Sequence, residues 1–497
     1  MSQSAIKDGL IFDGADWNFE TLQHTLDAIE EIALNDLKLD VYPNQIEIIS
    51  SEQMLDAYSS HGMPLMYNHW SFGKHFARDQ MMYQKGYSGL AYEIVINSNP
   101  CIAYLMEENT MTMQALVMAH ASFGHNHFFK NNYLFRQWTD AEAILPYLDF
   151  AKKFIARCED EYGFEEVESV LDAAHALMDQ GVYRYNRPPR LSEADTLAKL
   201  AARAKHERET FNDIWRTLPL TEEDKDTMEI RQTEVRNIKL PEENLLYFIE
   251  KASPILRPWQ RELVRIVRNI AQYFYPQKQT KVMNEGCATF VHHYIMNELY
   301  NKGQISEGAI MEFLHSHSSV VFQPDFDDQR YSGINPYALG FAMMEDIKRI
   351  STDPKPEDRE LFPEIAGTGD WRDVLKDAWT NYRDESFILQ YLSPKVMRDF
   401  GLFAIGDDAK ENYFEIAAIH DEPGYRAVKE KLAGMYDLGM HEPNIQVVSA
   451  DLAGDRTLKL QHRVHNGRAL SDKTKDVVLT HVEMLWGFEV ELEEIDN

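Results

Sequence analysis

The sequence contains little cysteine, no excess of basic residues and no long apolar run, and each absence argues against a class of protein. Only three cysteines, Cys101, Cys158 and Cys287, occur in 497 residues. A sparse and odd set of thiols argues against a disulfide framework and favours a reducing compartment. Acidic residues outnumber basic residues by 81 to 50, which gives a formal net charge of −31. Such a chain repels phosphates, so we expect no general binding to nucleic acid or anionic membranes.

Targeting segments and common catalytic motifs are also missing from the sequence. No window of about 20 uninterrupted apolar residues occurs, and no basic run followed by an apolar segment opens the chain. We therefore expect a cytoplasmic protein without membrane insertion. The patterns GxxxxGK[ST], GxGxxG, GxSxG and CxxC are absent as well. Their absence weighs against an ordinary P-loop, Rossmann or serine-hydrolase assignment and against a structural cysteine zinc site.

The apolar residues that are present predict a large globular protein with mainly helical periodicity. Hydrophobic residues make up 44% of the chain, which at this length is enough for more than one core. We predict an α+β fold that is predominantly helical, with a large helical N-terminal domain and a small mixed α/β C-terminal module. The predicted helical core comprises residues 1–186 and 245–400, a charged connector or excursion spans 187–244, and the C-terminal module spans 401–497.

The C-terminal module is predicted from alternating apolar residues, a turn dipeptide and two helical stretches. The predicted helices are Pro423 to Tyr436 and Ser471 to Leu485, and the predicted strands are Ile445 to Asp451, Thr457 to His465 and Glu489 to Ile495. Asn466 and Gly467 predict a turn after the second of these strands. His462 and His465 are expected to flank a hairpin and to face solvent.

Three histidines, His120, His125 and His127, lie within eight positions of a predicted buried helix. On an unbroken helix His120 and His127 share a face, and His125 points elsewhere. A helix that ends or distorts at Gly124 would instead turn His125 toward His120. Neutral imidazole binds zinc, iron, nickel and copper, so the cluster predicts a metal site that still lacks a carboxylate.

Glu285 and His292 lie seven residues apart on a second helix, which is predicted to begin at Lys281 after an earlier helix stops at Pro276. The small residues between Glu285 and His292 leave room for an ion. A buried carboxylate without a partner is strongly disfavoured, so a metal, a histidine or an arginine is expected beside Glu285. We therefore predict one divalent metal, most favourably zinc, held by residues from the following set: His120, His125, His127, Glu285 and His292. No catalytic residue is assigned.

Five other histidines of the helical core are interpreted as packing or surface residues. His315 and His317 diverge on a helix and would share a face only on a strand. His175 lies on a polar helix stripe with Asp172, and the alternative is that this pair faces the metal site as an outer partner. The others in this class are His69 and His75.

Six stretches of the chain together resemble the SpoVR family, named after stage V sporulation protein R. They are YEIVINSNP, HASFGHNHFFKNNYLF, NEGCATFVHHY, INPYALGF, RDESFILQYLSPKVMRDFGLF and VHNGRALSDKTKDVVLTHVEMLWGFEVEL. The resemblance runs from about Trp17 to Asp496. It implies a cytoplasmic bacterial protein linked to spore cortex formation, with a stress or starvation role in bacteria that make no spores. A serine protein kinase of the PrkA type is the implied partner, and no particular reaction is implied.

The predicted metal site has a second resemblance of its own. Asn284 to Ala288 is similar to the segment that supplies the glutamate zinc ligand in gluzincin aminopeptidases, whose two histidines come from an HExxH helix. Here His120 and His125 are five positions apart rather than four, and Ala121 stands where the general-base glutamate would be. The resemblance therefore supports metal binding and does not carry peptidase activity over.

Two classes of function stay open from the sequence. In the first, a metal-bound water attacks an ester or amide, as in a cell-wall precursor or a peptide. This possible hydrolase needs a general base, and Glu107 or Glu108 would serve only if the fold brings it to the metal. In the second, the protein is a non-enzymatic regulator or scaffold, and its C-terminal module recruits a partner such as the kinase. The sequence does not predict the oligomeric state.

Overall fold

A computed structural model describes residues 9–59, 63, 66–67, 69–70, 93–184, 238, 240–406, 415–419, 421, 424–452, 454–464 and 469–496. The chain forms two compact units, unit 1 from residues 1–154 and 273–438 and unit 2 from residues 155–272 and 439–497. Most of the predicted connector lies outside the described residues, as do His75, His465 and the Asn466-Gly467 turn. The predicted division of the chain into four segments remains a prediction. Residues 401–438, which were predicted to begin the C-terminal module, belong to unit 1.

Helices dominate the first described part of the chain, up to residue 184. Its strands are β1 Asn44–Ile49, β2 Glu93–Ile96 and β3 Cys101–Met106. Its α-helices are α1 Phe19–Glu31, α2 Ser51–Ser59, α3 Met111–Met118, α4 Asn126–Asn131, α5 Tyr133–Trp138, α6 Ile144–Tyr162 and α7 Phe164–Ala176. Two π-helical segments, Ile32–Asp36 and Ala119–His125, and a 3₁₀ turn at Met178–Gln180 complete this part.

The second described part begins at residue 240 and is again mainly helical. Its helices are α8 Leu245–Ala252, α9 Pro258–Gln279, α10 Lys281–Asn301, α11 Glu307–Val320, α12 Pro336–Thr352, α13 Pro356–Leu361, α14 Trp371–Asn381, α15 Asp384–Tyr391, α16 Pro394–Asp399, α17 Tyr425–Met435, α18 Leu438–His441 and α19 Asp472–Trp486. Its strands are β4 Ala404–Gly406, β5 Glu415–Ala418, β6 Asn444–Ala450, β7 Leu458–Val464 and β8 Val490–Asp496. This content confirms the predicted α+β, predominantly helical fold.

Helix α10 lies at the centre of unit 1 and is buried along most of its length. A helix that is apolar on most sides must be covered on most sides, and α10 packs against α12 and against the π-helical segment Ala119–His125. Glycine makes the contact with α12 possible, because a Cβ atom at Gly286 would lie 2.6 Å from the Cα atom of Gly340. The backbones of α10 and α12 therefore approach closely at the turn that follows Glu285.

A three-stranded sheet in the order β1-β3-β2 lies beside the π-helical segment in unit 1. Strand β1 runs parallel to β3, whereas β2 runs antiparallel and pairs Glu93 with Leu105. The β-branched run EIVI predicts this strand correctly. Because Glu93 is its first residue, the carboxylate lies at the end of the sheet, next to the helical core.

Unit 2 contains a sheet in the order β6-β7-β8. These three strands and helix α19 match the predicted ones within two residues. The expectation that His462 faces solvent is wrong. Strand β7 is the central strand, paired with β6 on one side and with β8 on the other. The side chain of His462 is therefore buried, and its Nδ1 atom lies 3.0 Å from the carboxylate of Glu494.

The predicted stop of a helix at Pro276 is also wrong. Helix α9 continues to Gln279 with Pro276 inside it, although proline removes one N–H donor from the helix. The carbonyl of Pro276 accepts a hydrogen bond from the Thr280 hydroxyl at 2.7 Å. Helix α10 then begins at Lys281, as predicted. None of the described helices combines the length and hydropathy that a membrane span requires.

Candidate metal centre

His120 and His125 both lie in the π-helical segment Ala119–His125, which joins α3 to α4. In a π-helix each N–H group bonds to the carbonyl five residues earlier, and the N–H of Asn126 donates to the carbonyl of Ala121 in this way. Residues five apart therefore lie one above the other. The ring centroids of His120 and His125 are 4.6 Å apart, which is the predicted arrangement in which a distorted helix turns His125 toward His120.

The π-helical segment also explains how the two histidines can form a pair although they are five positions apart, rather than four as in the gluzincins. On an α-helix, two ligands share a face when they are four residues apart. The wider π turn brings residues five apart to the same position, so His120 and His125 form a pair like that of an HExxH helix. The backbone thus compensates for the additional residue between the histidines.

Gly124 allows α10 to lie directly against this segment. A Cβ atom at Gly124 would lie 2.5 Å from the Cα atom of Ala288, closer than any real side chain could approach. The thiol of Cys287 lies 3.9 Å from the Gly124 carbonyl at the same contact. Ala288 was expected to leave room for an ion, but it leaves room for the backbone of the histidine segment instead.

Two carboxylates face the imidazole pair. The Oε2 atom of Glu285, on α10, lies 3.6 Å from Nε2 of His125 and 3.9 Å from Nε2 of His120. The Oε1 atom of Glu93 lies 3.3 Å from Nε2 of His120. Ligand atoms about 2.0–2.1 Å from a tetrahedral zinc ion are about 3.3–3.4 Å from one another. Donor atoms of Glu93, His120 and His125 all lie within 4.8 Å of one another, and Glu285 adjoins the two histidines, so the spacing is roughly that of metal ligands.

A hydrogen bond from His125 to Asn284 determines which nitrogen of His125 faces the carboxylates. The Oδ1 atom of Asn284 lies 2.9 Å from Nδ1 of His125. An amide oxygen only accepts, so Nδ1 carries the proton and Nε2 presents a lone pair toward Glu285. The Oε2 atom of Glu285 is buried and has no hydrogen-bond partner among the described residues. Two electron-rich atoms that face each other without a proton between them favour a cation at this position.

The pKa values of Glu93 and His120 also indicate that positive charge is lacking at the site. Burial, and then the neighbouring carboxylate of Glu285, raise the pKa of Glu93 to about 8. Burial, and then the neighbouring ring of His125, lower the pKa of His120 well below its usual range. A carboxyl group that resists ionisation beside an imidazole that resists protonation is typical of a site that binds a cation.

The predicted ligand His292 lies behind His120 rather than beside the carboxylates. Its Nδ1 atom is 2.8 Å from Nδ1 of His120, and its Nε2 atom is 2.9 Å from Nδ1 of His317. Burial is the main cause that lowers the pKa of His292, and it lowers that of His317 to about 4. His317 was interpreted as a packing or surface residue, whereas the structure adds it to the histidine group.

His127 lies on a different side of the segment. Its Nδ1 atom is 3.0 Å from both the N–H and the carbonyl of Asp40, and the amide of Asn131 lies 3.1 Å away. Its ring packs edge-on against Trp379. Two residues after His125 on a helix, a side chain points about 200° away. The structure therefore brings four of the five predicted residues together and gives His127 other contacts.

The sequence analysis missed Glu93, the second carboxylate of the site. An acidic residue that opens an otherwise apolar strand was the available signal, because burying such a side chain requires a partner. Glu107 and Glu108, considered as bases instead, are both exposed. The carboxylate of Glu108 accepts a hydrogen bond from the N–H of Ser51 at 3.3 Å. The fold thus places Glu93, rather than either of these residues, beside the histidine pair.

The part of the chain that matches known proteins includes every residue of the candidate site. Residues 16–441 match the family model for SpoVR like protein, and residues 443–497 match the model for the SpoVR-like C-terminal domain. An uncharacterized protein of Escherichia coli (strain K12), YcgB, is 56% identical over 482 residues, which cover 97% of this chain and 93% of that relative. No solved structure matches the chain.

Proposed function

The chain belongs to the SpoVR family, and we propose that it binds one divalent metal ion, most favourably zinc, between Glu93, His120, His125 and Glu285. The observation that carries this proposal is the approach of two imidazole nitrogens to the buried Oε2 atom of Glu285, which has no hydrogen-bond partner in the described part of the chain. A cation between these atoms would replace repulsion by coordination.

The set of ligand atoms supports zinc, and iron(II) is the main competing ion. Two imidazoles with a glutamate form the protein ligands of several catalytic zinc sites. Two histidines and one carboxylate are also the ligand set of non-haem iron(II) sites. Glu93 lies beside His120 in either case. All three ligand side chains offer nitrogen or oxygen atoms, which argues against a site for a soft, thiolate-seeking ion.

We further propose that the site hydrolyses an ester or amide, as in a cell-wall precursor or a peptide. A bound divalent ion lowers the pKa of its water and polarises a carbonyl. His120, His125 and Glu285 would hold the ion. The carboxylate of Glu93, 3.3 Å from Nε2 of His120, would accept the proton of the attacking water, because Ala121 occupies the position of the usual base. This geometry is what favours a hydrolase over a purely structural metal site.

The biological setting in this proposal comes from the family resemblance. It places the protein in the cytoplasm, in spore cortex formation or in a stress response, with a serine protein kinase of the PrkA type as partner. A kinase-dependent regulator without enzymatic activity is the competing function, and it requires no metal.

Metal analysis of the full-length protein tests the proposal directly. Wild type should contain close to one equivalent of a transition metal, or should take it up from zinc or iron(II) solutions. The variants Glu285→Gln and His120→Ala should lose the metal, and their melting temperatures should fall by several degrees. The matched control is His315→Ala, which removes an exposed histidine of α11 and should retain metal. Less than about a tenth of an equivalent after reconstitution of wild type would contradict the proposal and favour the scaffold.

A further inference from the structure

Three histidines of unit 1 form a continuous chain of direct ring contacts. His120 and His292 meet through their Nδ1 atoms at 2.8 Å, and His292 and His317 meet through Nε2 and Nδ1 at 2.9 Å. All three side chains are buried. They come from three elements, the π-helical segment, α10 and α11, so no local repeat of the sequence produces this arrangement.

Each hydrogen bond between two neutral imidazoles contains one proton, which either of the two rings can carry. A neutral ring carries its proton on one nitrogen and a lone pair on the other. If Nδ1 of His292 donates to His120, then Nε2 of His292 must accept from His317. If Nδ1 of His120 donates instead, Nε2 of His292 must donate to His317. His292 and His317 therefore always carry their protons on the same kind of nitrogen, and His120 carries its proton on the opposite kind.

We infer that His292 and His317 are positioning residues that control which nitrogen of His120 is available to a metal, through protons that can move only together. The coupling itself follows from the contacts of the three rings. Its consequence for metal binding rests on the proposed function.

A metal on Nε2 of His120 selects one of the two arrangements. Nδ1 of His120 then carries the proton and donates to His292, Nε2 of His292 donates to His317, and His317 keeps its proton on Nε2. Relative to the other arrangement, the site loses one proton from Nε2 of His120, one proton moves across each contact toward His120, and Nε2 of His317 gains one. Every ring stays neutral, and the protons balance.

Packing holds the outer end of the chain in place. The ring of His317 lies against Phe313 and Phe341, with ring centroids 5.6 and 4.8 Å away. The ring of His293 lies 4.7 Å from that of His317 on the neighbouring side. A ring fixed in this way keeps Nδ1 directed at His292. Partners of this kind, which orient a metal-binding imidazole from behind, typically change metal affinity by about 10–100-fold when they are lost.

Nitrogen NMR of the full-length protein labelled with ¹⁵N-histidine tests the coupling, because protonated and unprotonated ring nitrogens give separate signals. In the metal-free protein, His292 and His317 should share one protonated position and His120 should have the other. With zinc bound, His292 and His317 should carry protons on Nε2. A metal-free spectrum in which His292 and His317 differ, or in which His120 matches His292, would overturn the inference. Zinc that leaves His120 and His125 unchanged would instead contradict the proposed function.

The variant His317→Phe tests the effect on metal binding, since it keeps a ring of similar size and removes Nδ1. Zinc affinity, measured by competition with a chromophoric chelator, should fall by about 10–100-fold. The control His315→Ala changes an exposed histidine of α11 that lies outside the chain of hydrogen bonds, and it should leave affinity within about twofold. The variant His317→Gln restores a group that can donate or accept and should recover part of the loss. Unchanged affinity and an unchanged His292 signal in His317→Phe would contradict the positioning role.

Discussion

At the scale of single residues, Glu93 and Glu285 set the electrostatics of the candidate centre. Both carboxyl groups adjoin His120, at 3.3 and 3.9 Å, and the charge of Glu285 raises the pKa of Glu93. Without an ion, the charged form of Glu93 is disfavoured beside Glu285, and this proximity weakens the fold. With an ion, Glu285 would become a ligand and Glu93 would lie beside the bound water. One substitution should therefore have opposite effects on the metal-free and the metal-bound protein.

Glu93→Gln should leave the metal-free protein at least as stable as wild type, because an amide removes one of the two carboxyl groups. The same variant should bind zinc at least about tenfold more weakly, since loss of an outer partner alone can have that effect. Thermal unfolding with a chelator and with excess zinc measures both changes. Glu107→Gln, at an exposed position, is the control and should change neither. A Glu93→Gln variant destabilised only in the absence of zinc would indicate a purely structural role.

At the scale of elements, the site depends on how closely α10 can approach the π-helical segment. Packed helices lie about 8–10 Å apart between axes, depending on the side chains at the contact, and small residues allow the closest approach. Gly124 meets Ala288 on one side of α10, and Gly286 meets Gly340 on the other. Both contacts lie within three residues of Glu285, so they determine how far its carboxylate lies from the two imidazoles.

Gly124→Ala should destabilise the protein by about 1–3 kcal/mol, because the added methyl group overlaps the backbone of α10. Zinc binding should weaken as well, since Glu285 moves away with its helix. The matched control is Gly434→Ala on α17, where an added Cβ atom meets nothing within 4 Å. There, alanine should be neutral or stabilise the helix by up to about 1 kcal/mol. Urea unfolding of both variants gives the comparison, and equal stability of the two would contradict the packing argument.

The elements themselves could largely be predicted from local sequence, because each is determined by nearby residues. The helix that starts at Lys281 and the strands and helix of the C-terminal module are examples. The helix end predicted at Pro276 was wrong because a proline can kink a helix without ending it. His462 was missed because exposure depends on strand order, which no local pattern encodes.

The candidate site was predictable only in part, for a related reason. Burial required partners for Glu285, and glycine indicated a distortion beside His125, so these residues could be predicted from the sequence. The π-helical register itself depends on tertiary packing around Gly124. Glu93 and His317 reach the site through the sheet and through α11, whose positions depend on long-range contacts. Distances between elements, rather than residue types, were the missing information.

At the scale of the whole molecule, every residue of the candidate centre belongs to unit 1, although unit 1 is made of two separate stretches of chain. His120 comes from the first stretch, and Glu285, His292 and His317 come from the second. Metal binding should therefore stabilise the contact between the two stretches. Unit 2 has its own core and its own buried ion pairs, so its stability has a different origin.

Zinc should slow hydrogen exchange mainly in Ala119–His125 and α10. A ligand that binds only the folded state stabilises it by about 2.7 kcal/mol at a hundred times its dissociation constant, and amides that open together with the site share this protection. Amides of β6 and β7 in unit 2 serve as the internal control and should be unaffected. Exchange measured by mass spectrometry, with and without zinc, checks this distribution. Uniform protection, or protection confined to unit 2, would contradict the assigned site.

The stability of unit 2 should depend on the ionised form of Glu250. This carboxylate is buried on α8 and pairs with Arg265 at 2.8 Å and with Arg268 at 3.0 Å. Burial alone would raise the pKa of Glu250, but the guanidinium groups of Arg268 and Arg265 outweigh burial and hold the pKa below its usual value. A carboxyl group with a lowered pKa stabilises the folded state above its unfolded pKa, and this stabilisation is lost as the pH falls through the folded pKa.

Glu250→Gln should therefore lower the free energy of unfolding of unit 2 by about 3–5 kcal/mol at pH 7, since it removes the buried negative charge that faces Arg265 and Arg268. The difference from wild type should shrink as the pH falls below about 4. Urea unfolding at both pH values measures it. The control is Glu491→Gln, which removes an exposed ion pair with Lys459 and should hardly shift the unfolding midpoint. A difference that stays constant with pH would indicate a packing defect instead.

The distance along the chain between the two halves of the centre determines the order in which the ligands become available during synthesis. His125 precedes its partner Asn284 by 159 residues, so the ribosome releases the paired imidazoles long before Glu285 exists. An ion captured by the nascent chain would have only nitrogen ligands from the histidine segment and the carboxylate of Glu93. The complete set forms after α10 has emerged and docked, which makes a firmly held ion a marker of molecules whose translation and folding are both finished.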